Sequence, residues 1–321
     1  MRKTLPTSLP KLLPPPPPSY EIRDIPGKGK GVVALRDIAM GEMVIIERPI
    51  FLRPLMITAG LMLQLPKLVM ERMDPRDRAS FFALSNVKDP DVSQFWGIIG
   101  TNAFELEMKE GVGRYGAVFP ECSRLNHSCG PNTTRTWNLP LFALIVQASR
   151  NIRAGEEITT WYEELTETHT DRRSDLERKY KFKCACGYCT NTSPTSDHER
   201  SYAISEKAGH DFIHLYSAIY QAGIPIQIAR QRATDLLQYL VRVLATITKE
   251  GVEGRSSESY YYSLMNIYGL LGDKEKLREW GFKAILMFPS NKSDWENKID
   301  EWIDWMRDPE KNFPNWAMLR E

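Results

Sequence analysis

Short apolar runs cut by glycine-rich turns fill the first half of the chain, and apolar positions at helical spacing fill the second. Gly27, Gly29 and Gly31 punctuate a turn, and Gly31-Val32-Val33-Ala34-Leu35 reads as a short strand. Asp37 to Gly41 forms a tight turn before a second strand, Met43-Val44-Ile45-Ile46-Glu47. Met56–Met73 has helical apolar spacing, broken by Pro66, and Asp74-Pro75 is an N-cap and first-turn pair for a helix through Phe81, Phe82 and Leu84. A further short helix, Val92–Ile99, leads into Thr101-Asn102-Ala103-Phe104. From Gly116 to Tyr162 the character returns to strand and turn, and Leu141 to Val146 has the length of a buried strand. Beyond His198 the period changes. Leu236, Leu240, Val243 and Ile247 share one helical face, as do Trp295, Ile299, Trp302 and Met306. Gly272-Asp273 separates two helical patterns, one with Tyr260–Tyr262 and Leu264, the other with Leu277, Trp280 and Ile285. This pairing is similar to tetratricopeptide stacking but lacks a 34-residue recurrence, and its aromatic residues read as core.

The pattern therefore predicts an α+β protein. A β-rich core over 20–165 carries a helical insertion near 52–100, and a cysteine-rich segment over 166–192 precedes an all-helical region over 200–310. Residues 1–19 are proline-rich and predict an extended, disordered tail, with a docking peptide for a proline-binding domain as the alternative.

Composition narrows the class. The chain has 321 residues and a formal net charge of +1, so no global field draws it to nucleic acid or an anionic membrane. No apolar stretch is long enough to span a bilayer, and prolines interrupt any candidate secretory signal. A soluble, monomeric protein of the nucleus or cytoplasm is expected. Of five cysteines, three crowd into Cys184-Ala185-Cys186-Gly187-Tyr188-Cys189, which reads as metal binding in a reducing compartment. Tetrahedral zinc needs a fourth ligand, and Cys122, Cys129, His127, His169 and His198 are all candidates. Four protein ligands would leave the ion no open position, so its role would lie in folding. The plainer alternative is three buried, unligated thiols.

A second signal is Arg124-Leu125-Asn126-His127-Ser128-Cys129-Gly130-Pro131-Asn132. Asn-His-Ser-Cys followed by Pro-Asn resembles the central motif of SET-domain methyltransferases, notably the SET-and-MYND group and related fungal proteins. Lys28-Gly29-Lys30-Gly31-Val32-Val33-Ala34 is similar to the family's N-terminal glycine turn. Gly155-Glu156-Glu157-Ile158-Thr159-Thr160-Trp161-Tyr162 resembles the stretch that ends in its active-site tyrosine. Tyr180-Lys181-Phe182-Lys183-Cys184, with Cys186 and Cys189, resembles its post-SET segment. Four motifs in family order carry far more weight than one.

The resemblance implies a SET fold over 20–165, a zinc-bound post-SET segment over 166–192, and Cys129 as the fourth ligand beside Cys184, Cys186 and Cys189. Cys122 is left as a core thiol. It also implies an S-adenosylmethionine site. Lys28, Gly29, Lys30 and Gly31 would approach the methionine end, Asn126 would anchor it, and backbone near His127 would meet the adenine. Asn102 and Ser123 would be further contacts, and Phe182 would stack near the adenine. The implied activity is methyl transfer to lysine side chains of histone or non-histone proteins, with Tyr162 orienting the amine and Tyr180 as a second channel wall. The expected partner is a protein or peptide presenting a lysine. Residues 52–101 contain no cysteine, so the family's MYND zinc module is missing there, and Trp161 stands where a small or acidic residue is usual. Trp161 is expected to reshape the substrate entrance, and Glu156 and Glu157 to be structural or surface carboxylates. A non-catalytic scaffold and an S-adenosylmethionine-dependent enzyme for a small molecule are the competing functions.

Overall fold

The computed structural model describes residues 11–12, 18–108, 113–191, 193–204, 217, 219, 223–254, 257–287 and 296–320. The proline-rich residues 1–10 and 13–17, and Trp295 of the last helical face, lie outside them. The chain divides into two compact units. One draws on residues 1–128, 132–163 and 173–184, the other on 129–131, 164–172 and 185–321.

Among the described residues the first unit holds three small sheets. β1 (Tyr20–Ile25), β2 (Gly29–Ala34), β10 (Glu157–Thr160) and β7 (Asn126–His127) pair in that order. β3 (Met43–Glu47), β9 (Ala143–Ala148) and β8 (Thr133–Asn138) form the second sheet, and β4 (Phe51–Pro54), β6 (Arg114–Val118) and β5 (Phe104–Glu107) the third. The apolar runs supply the common core: Val32, Ile45, Phe119, Val146, Ile152 and Ile158 are among its buried members. Each such side chain contributes about 1.5–3 kcal/mol by leaving water. The strand read from Leu141 begins at Ala143 instead. Asn138 Oδ1 accepts the Leu141 N–H (2.9 Å), and Phe142 turns with φ +50°, so the first two residues of that run form the hairpin.

The insertion carries α1 (Ala59–Arg72), α2 (Pro75–Phe82) and α3 (Gln94–Asn102). Asp74 caps α2 as its sequence predicts, its Oδ1 accepting the Arg76 N–H at 2.8 Å. Pro66, expected to break α1, lies within a continuous helix. Proline removes one hydrogen bond and crowds the carbonyl four residues back, and a solvent-facing helix with no fully buried residue can absorb that locally. Phe51, Phe81, Phe95 and Ile98 form a second apolar cluster under α2 and α3.

The segment 166–192 holds α4 (His169–Tyr180) and a single turn, α5 (Gly187–Thr190), which the apolar pattern did not announce. In the second unit α6 (Pro194–Ala203) precedes α7 (Ile226–Lys249), α8 (Ser257–Leu271), α9 (Lys274–Leu286), α10 (Glu296–Arg307) and α11 (Pro309–Asn312). Leu236, Leu240, Val243 and Ile247 of α7 are all buried, as their spacing predicts. α8 and α9 form the expected helical hairpin. Gly272 takes φ +75° at its turn, and Asp273 caps α9 through Lys276 N–H (3.0 Å). Tyr262 stacks on Trp302 (centroids 4.7 Å) and Tyr261 on Trp280 (5.8 Å), in keeping with a core role for these aromatic rings. Among the described residues, no helix is long and apolar enough to cross a membrane.

Candidate active site and metal centre

β10 organises the site because it pairs on both sides. Ile158 faces Val32 in antiparallel register, while Thr159 and Thr160 face Asn126 and His127 in parallel register. This brings the glycine turn, the Asn-His motif and the Tyr162 stretch together, although 97 residues separate Gly29 from Asn126 in the chain. Asn132, missed as a site residue, locks the arrangement. Its Oδ1 accepts the Thr159 N–H (2.8 Å), and its Nδ2 donates to the Glu157 carbonyl (2.9 Å) and to Glu156 Oε1 (3.1 Å). Glu156 also accepts from Arg150 (2.7 Å) and the Arg153 N–H (3.1 Å), the structural role expected of it.

Glu157 is likewise a structural carboxylate. Its two oxygens join two predicted cofactor residues: Asn126 Nδ2 donates to Oε1 at 2.9 Å, and Lys28 Nζ donates to Oε2 at 2.6 Å. Asn126 also reaches the Lys30 carbonyl (3.3 Å), whereas the Lys30 ammonium turns to Asp24 (2.8 Å). Gly31 lies against this group. A Cβ there would come within 2.5 Å of Ile25 Cγ1, 2.8 Å of Asn126 Nδ2 and 3.1 Å of Glu157 Oε1. Gly29 differs, since it has open space around it and φ +71°. One glycine serves close approach and the other the turn.

An aromatic series lies beside this polar group. The Tyr162 N–H donates to His127 Nδ1 (3.0 Å), and the His127 ring lies 5.5 Å from Tyr162 and 6.3 Å from Phe182. The Tyr162 and Tyr180 rings are 4.8 Å apart. The Tyr162 hydroxyl donates to the Leu125 carbonyl at 2.8 Å, which fixes its proton and leaves the oxygen free to accept. Burial, then neighbouring Tyr180, pushes the Tyr162 phenol well above its usual range, and burial followed by Glu163 raises Tyr180. Both remain protonated at neutral pH. Lys88, another residue the sequence did not single out, donates to the Lys179 carbonyl (2.5 Å) with its ammonium 5.3 Å from the Tyr180 ring centre. Burial and then Lys181 lower its pKa.

Asn102 and Ser123 lie next to each other, with Ser123 Oγ donating to the Asn102 carbonyl (3.1 Å). Both amide N–H groups of Asn102 are used at 2.7 Å, on the Ser85 and Ile98 carbonyls. Trp161, expected to reshape the substrate entrance, is a buried ring. It is 8% exposed beneath the Arg135 guanidinium (4.2 Å), which donates to the Trp161 carbonyl (2.7 Å) and thereby holds the ring in the packing.

Cys129, Cys184, Cys186 and Cys189 converge, with all four sulfurs within 4.8 Å of one another and those of Cys129 and Cys189 3.4 Å apart. None is in a disulfide. A tetrahedral zinc with Zn–S of about 2.3 Å needs sulfurs about 3.8 Å apart, so this donor set fits such an ion. The fourth thiol is Cys129, as the family resemblance implies. Cys122 is a core thiol: it is fully buried, and burial followed by the Glu47 carboxylate pushes its pKa well up.

With this geometry in place, comparison with known proteins becomes informative. The family model described as SET domain matches residues 29–163. Residues 29–163 are a SET domain. The chain is also 32% identical over 171 residues to Histone-lysine N-methyltransferase set5 of Schizosaccharomyces pombe, covering 53% of this chain and 50% of that protein. Against Histone-lysine N-methyltransferase SMYD3 of Homo sapiens identity is 36% over 111 residues, 33% of this chain and 24% of that one. Against human N-lysine methyltransferase SMYD2 it is 36% over 92 residues, 29% and 21%. The matches span half or less of these relatives' lengths. Gly29, Gly31, the Asn-His-Ser-Cys motif and Tyr162 lie within residues 29–163, whereas Lys28 lies just before them and Tyr180, Phe182 and the clustered Cys184, Cys186 and Cys189 lie just beyond.

Proposed function

We propose that the chain is an S-adenosylmethionine-dependent protein-lysine methyltransferase with a structural zinc held by Cys129, Cys184, Cys186 and Cys189. The observation that carries this reading is the setting of Tyr162, whose hydroxyl is held by the Leu125 carbonyl and whose ring faces Tyr180. The relatives' names, histone-lysine and N-lysine methyltransferase, support a lysine acceptor.

The cofactor's amino-acid end is a zwitterion. Lys28 supplies a cation for its carboxylate, and Glu157 with the Asn126 carbonyl oxygen supplies acceptors for its ammonium. Gly31 lets Asn126 and Glu157 pack against the backbone beside that end, and His127 and Phe182 would border the adenine. Ser123 is a neighbouring contact, and Asn102 would make its contact through Oδ1, because its N–H groups are spent. When bound, the cofactor supplies an electrophilic methyl group on a sulfonium.

Positioning and deprotonation of the acceptor amine fall to the protein. A free lysine is neutral only about once in 2,500 molecules at pH 7, a cost of about 4.6 kcal/mol. A channel walled by Tyr162 and Tyr180 lowers that cost by desolvation. The Tyr162 oxygen accepts from the amine N–H and aims its lone pair, which removes much of the orientational barrier. No side chain is required as a dedicated base. We further propose a soluble monomer of the nucleus or cytoplasm acting on a protein or peptide that presents a lysine. The test is methyl transfer to a proteome or peptide array containing histone and non-histone sequences, wild type beside Tyr162→Phe. Absence of transfer by the wild type to any protein would reject the activity, and equal transfer by both would reject the role of Tyr162.

A further inference from the structure

Arg200 of α6 is 1% exposed and uses every nitrogen of its guanidinium. Nε donates to the Leu165 carbonyl (2.9 Å), Nη1 to the Glu250 carbonyl (3.0 Å), and Nη2 to the Cys129 carbonyl. These acceptors come from three separate stretches of the second unit: the loop 129–131, the segment 164–172, and the residue that ends α7. The Glu250 carboxylate is 3.9 Å from Nη1 and is held in turn by Ser196 Oγ (2.8 Å) and by Lys249 (3.8 Å). Tyr188, between Cys186 and Cys189, makes a parallel tie. A Cβ at either Gly130 or Gly251 would overlap its ring, so the residues following Cys129 and Glu250 both form its seat.

A buried guanidinium is costly unless it is paired, and here three carbonyls and the Glu250 carboxylate at 3.9 Å supply part of the compensation. Four thiolates around one divalent ion carry a net charge of −2, which a neighbouring guanidinium offsets. We propose that Arg200 is a positioning residue for the metal centre: it fixes the Cys129 backbone and supplies counter-charge to the thiolates. Metal retention then depends on the seat at the end of α7. This rests on reading the four cysteines as a metal site. Removal of a group that orients a metal ligand typically weakens metal binding 10–100-fold.

The experiment is competition for zinc between the full-length protein and a chromophoric chelator, with wild type, Arg200→Met, Arg200→Lys and Leu277→Val. Leu277 is buried in α9, outside the Arg200 contacts, and its truncation perturbs the same unit without touching the cysteines. Arg200→Met is expected to raise the zinc Kd about 10–100-fold and to alter the visible spectrum of the cobalt-loaded protein. Leu277→Val should lower the melting temperature with an unchanged zinc Kd. If Arg200→Met is insoluble, Arg200→Lys is decisive, because it keeps the charge, loses the fork and should bind zinc more weakly than wild type. Wild-type zinc affinity in the folded Arg200 variants, or equal loss in Leu277→Val, overturns the proposal. A wild type that binds no zinc overturns the metal reading itself.

Discussion

Gly31→Ala separates the two jobs done by the glycine turn. The added methyl would come within 2.5 Å of Ile25 Cγ1 and 2.8 Å of Asn126 Nδ2, against about 3.4 Å for ordinary contact. Ile25 must give by about 0.9 Å and Asn126, the residue proposed to anchor the donor, by about 0.6 Å. Overpacking of this kind costs about 1–3 kcal/mol. At about 2–4 °C per kcal/mol for a unit of this size, a fall in melting temperature of several degrees should follow. Displacing Asn126 also removes a hydrogen bond to a charged group, about 1.5–3 kcal/mol, so donor Kd should rise about 10–100-fold. Gly29→Ala is the matched control. It strains a residue at φ +71° by about 1–2 kcal/mol but meets no atom within 4 Å, so it should cost stability and leave donor affinity within about twofold. The assay is calorimetric titration with S-adenosylmethionine alongside thermal melts of the three proteins. Wild-type affinity in Gly31→Ala, or an equal loss in Gly29→Ala, would refute the steric argument.

Other perturbations test other parts of the molecule. Tyr162→Phe should lower kcat about 100-fold or more while S-adenosylmethionine Kd changes less than about threefold; radiolabel transfer and calorimetry separate the two, and a loss confined to Kd would contradict the role. Glu47, whose pKa burial raises to about 7 despite N–H donors from Cys122 and Glu121, holds its proton longer in the folded state than in the unfolded one. Its stabilising contribution is complete below about pH 4.5 and is lost as pH rises through 7, on the order of 1–3 kcal/mol. Melts across pH 5–8 should show this slope in wild type and not in Glu47→Gln; parallel curves would disprove it. Pro66→Ala restores a helix N–H in α1 and should raise stability by about 1–3 kcal/mol in denaturant titration, and a decrease would show that the ring packs usefully.

The parts of this molecule that were legible in its sequence share one property: their cause is local. Strand β3, the Asp74 cap and the buried face of α7 each follow from residues within a few positions of one another. The metal cluster was half legible in the same sense. Three thiols in six residues announce a site by themselves, but spacing left five candidates for the fourth ligand, and only family likeness selected Cys129. Helix α4 was hidden because its sequence is overwhelmingly polar. Only two positions, Arg172 and Leu176, are buried, so no apolar stripe marks it.

The site shows where local reasoning stops. Parallel pairing of β7 with β10 involves two residues of one strand, too short to carry any periodicity, yet it joins the Asn-His motif to the Tyr162 stretch. Glu157 read as a structural or surface carboxylate, with no partner named, because nothing near it in sequence needs a charge. Its partners, Lys28 and Asn126, arrive from 129 and 31 residues away. Arg200 was invisible for the same reason: its acceptors at Leu165, Glu250 and Cys129 share no motif, and a lone arginine in a polar helix reads as solvated surface. Charged residues that become buried are therefore the ones whose roles depend most on tertiary pairing, because burial without a partner is prohibitive.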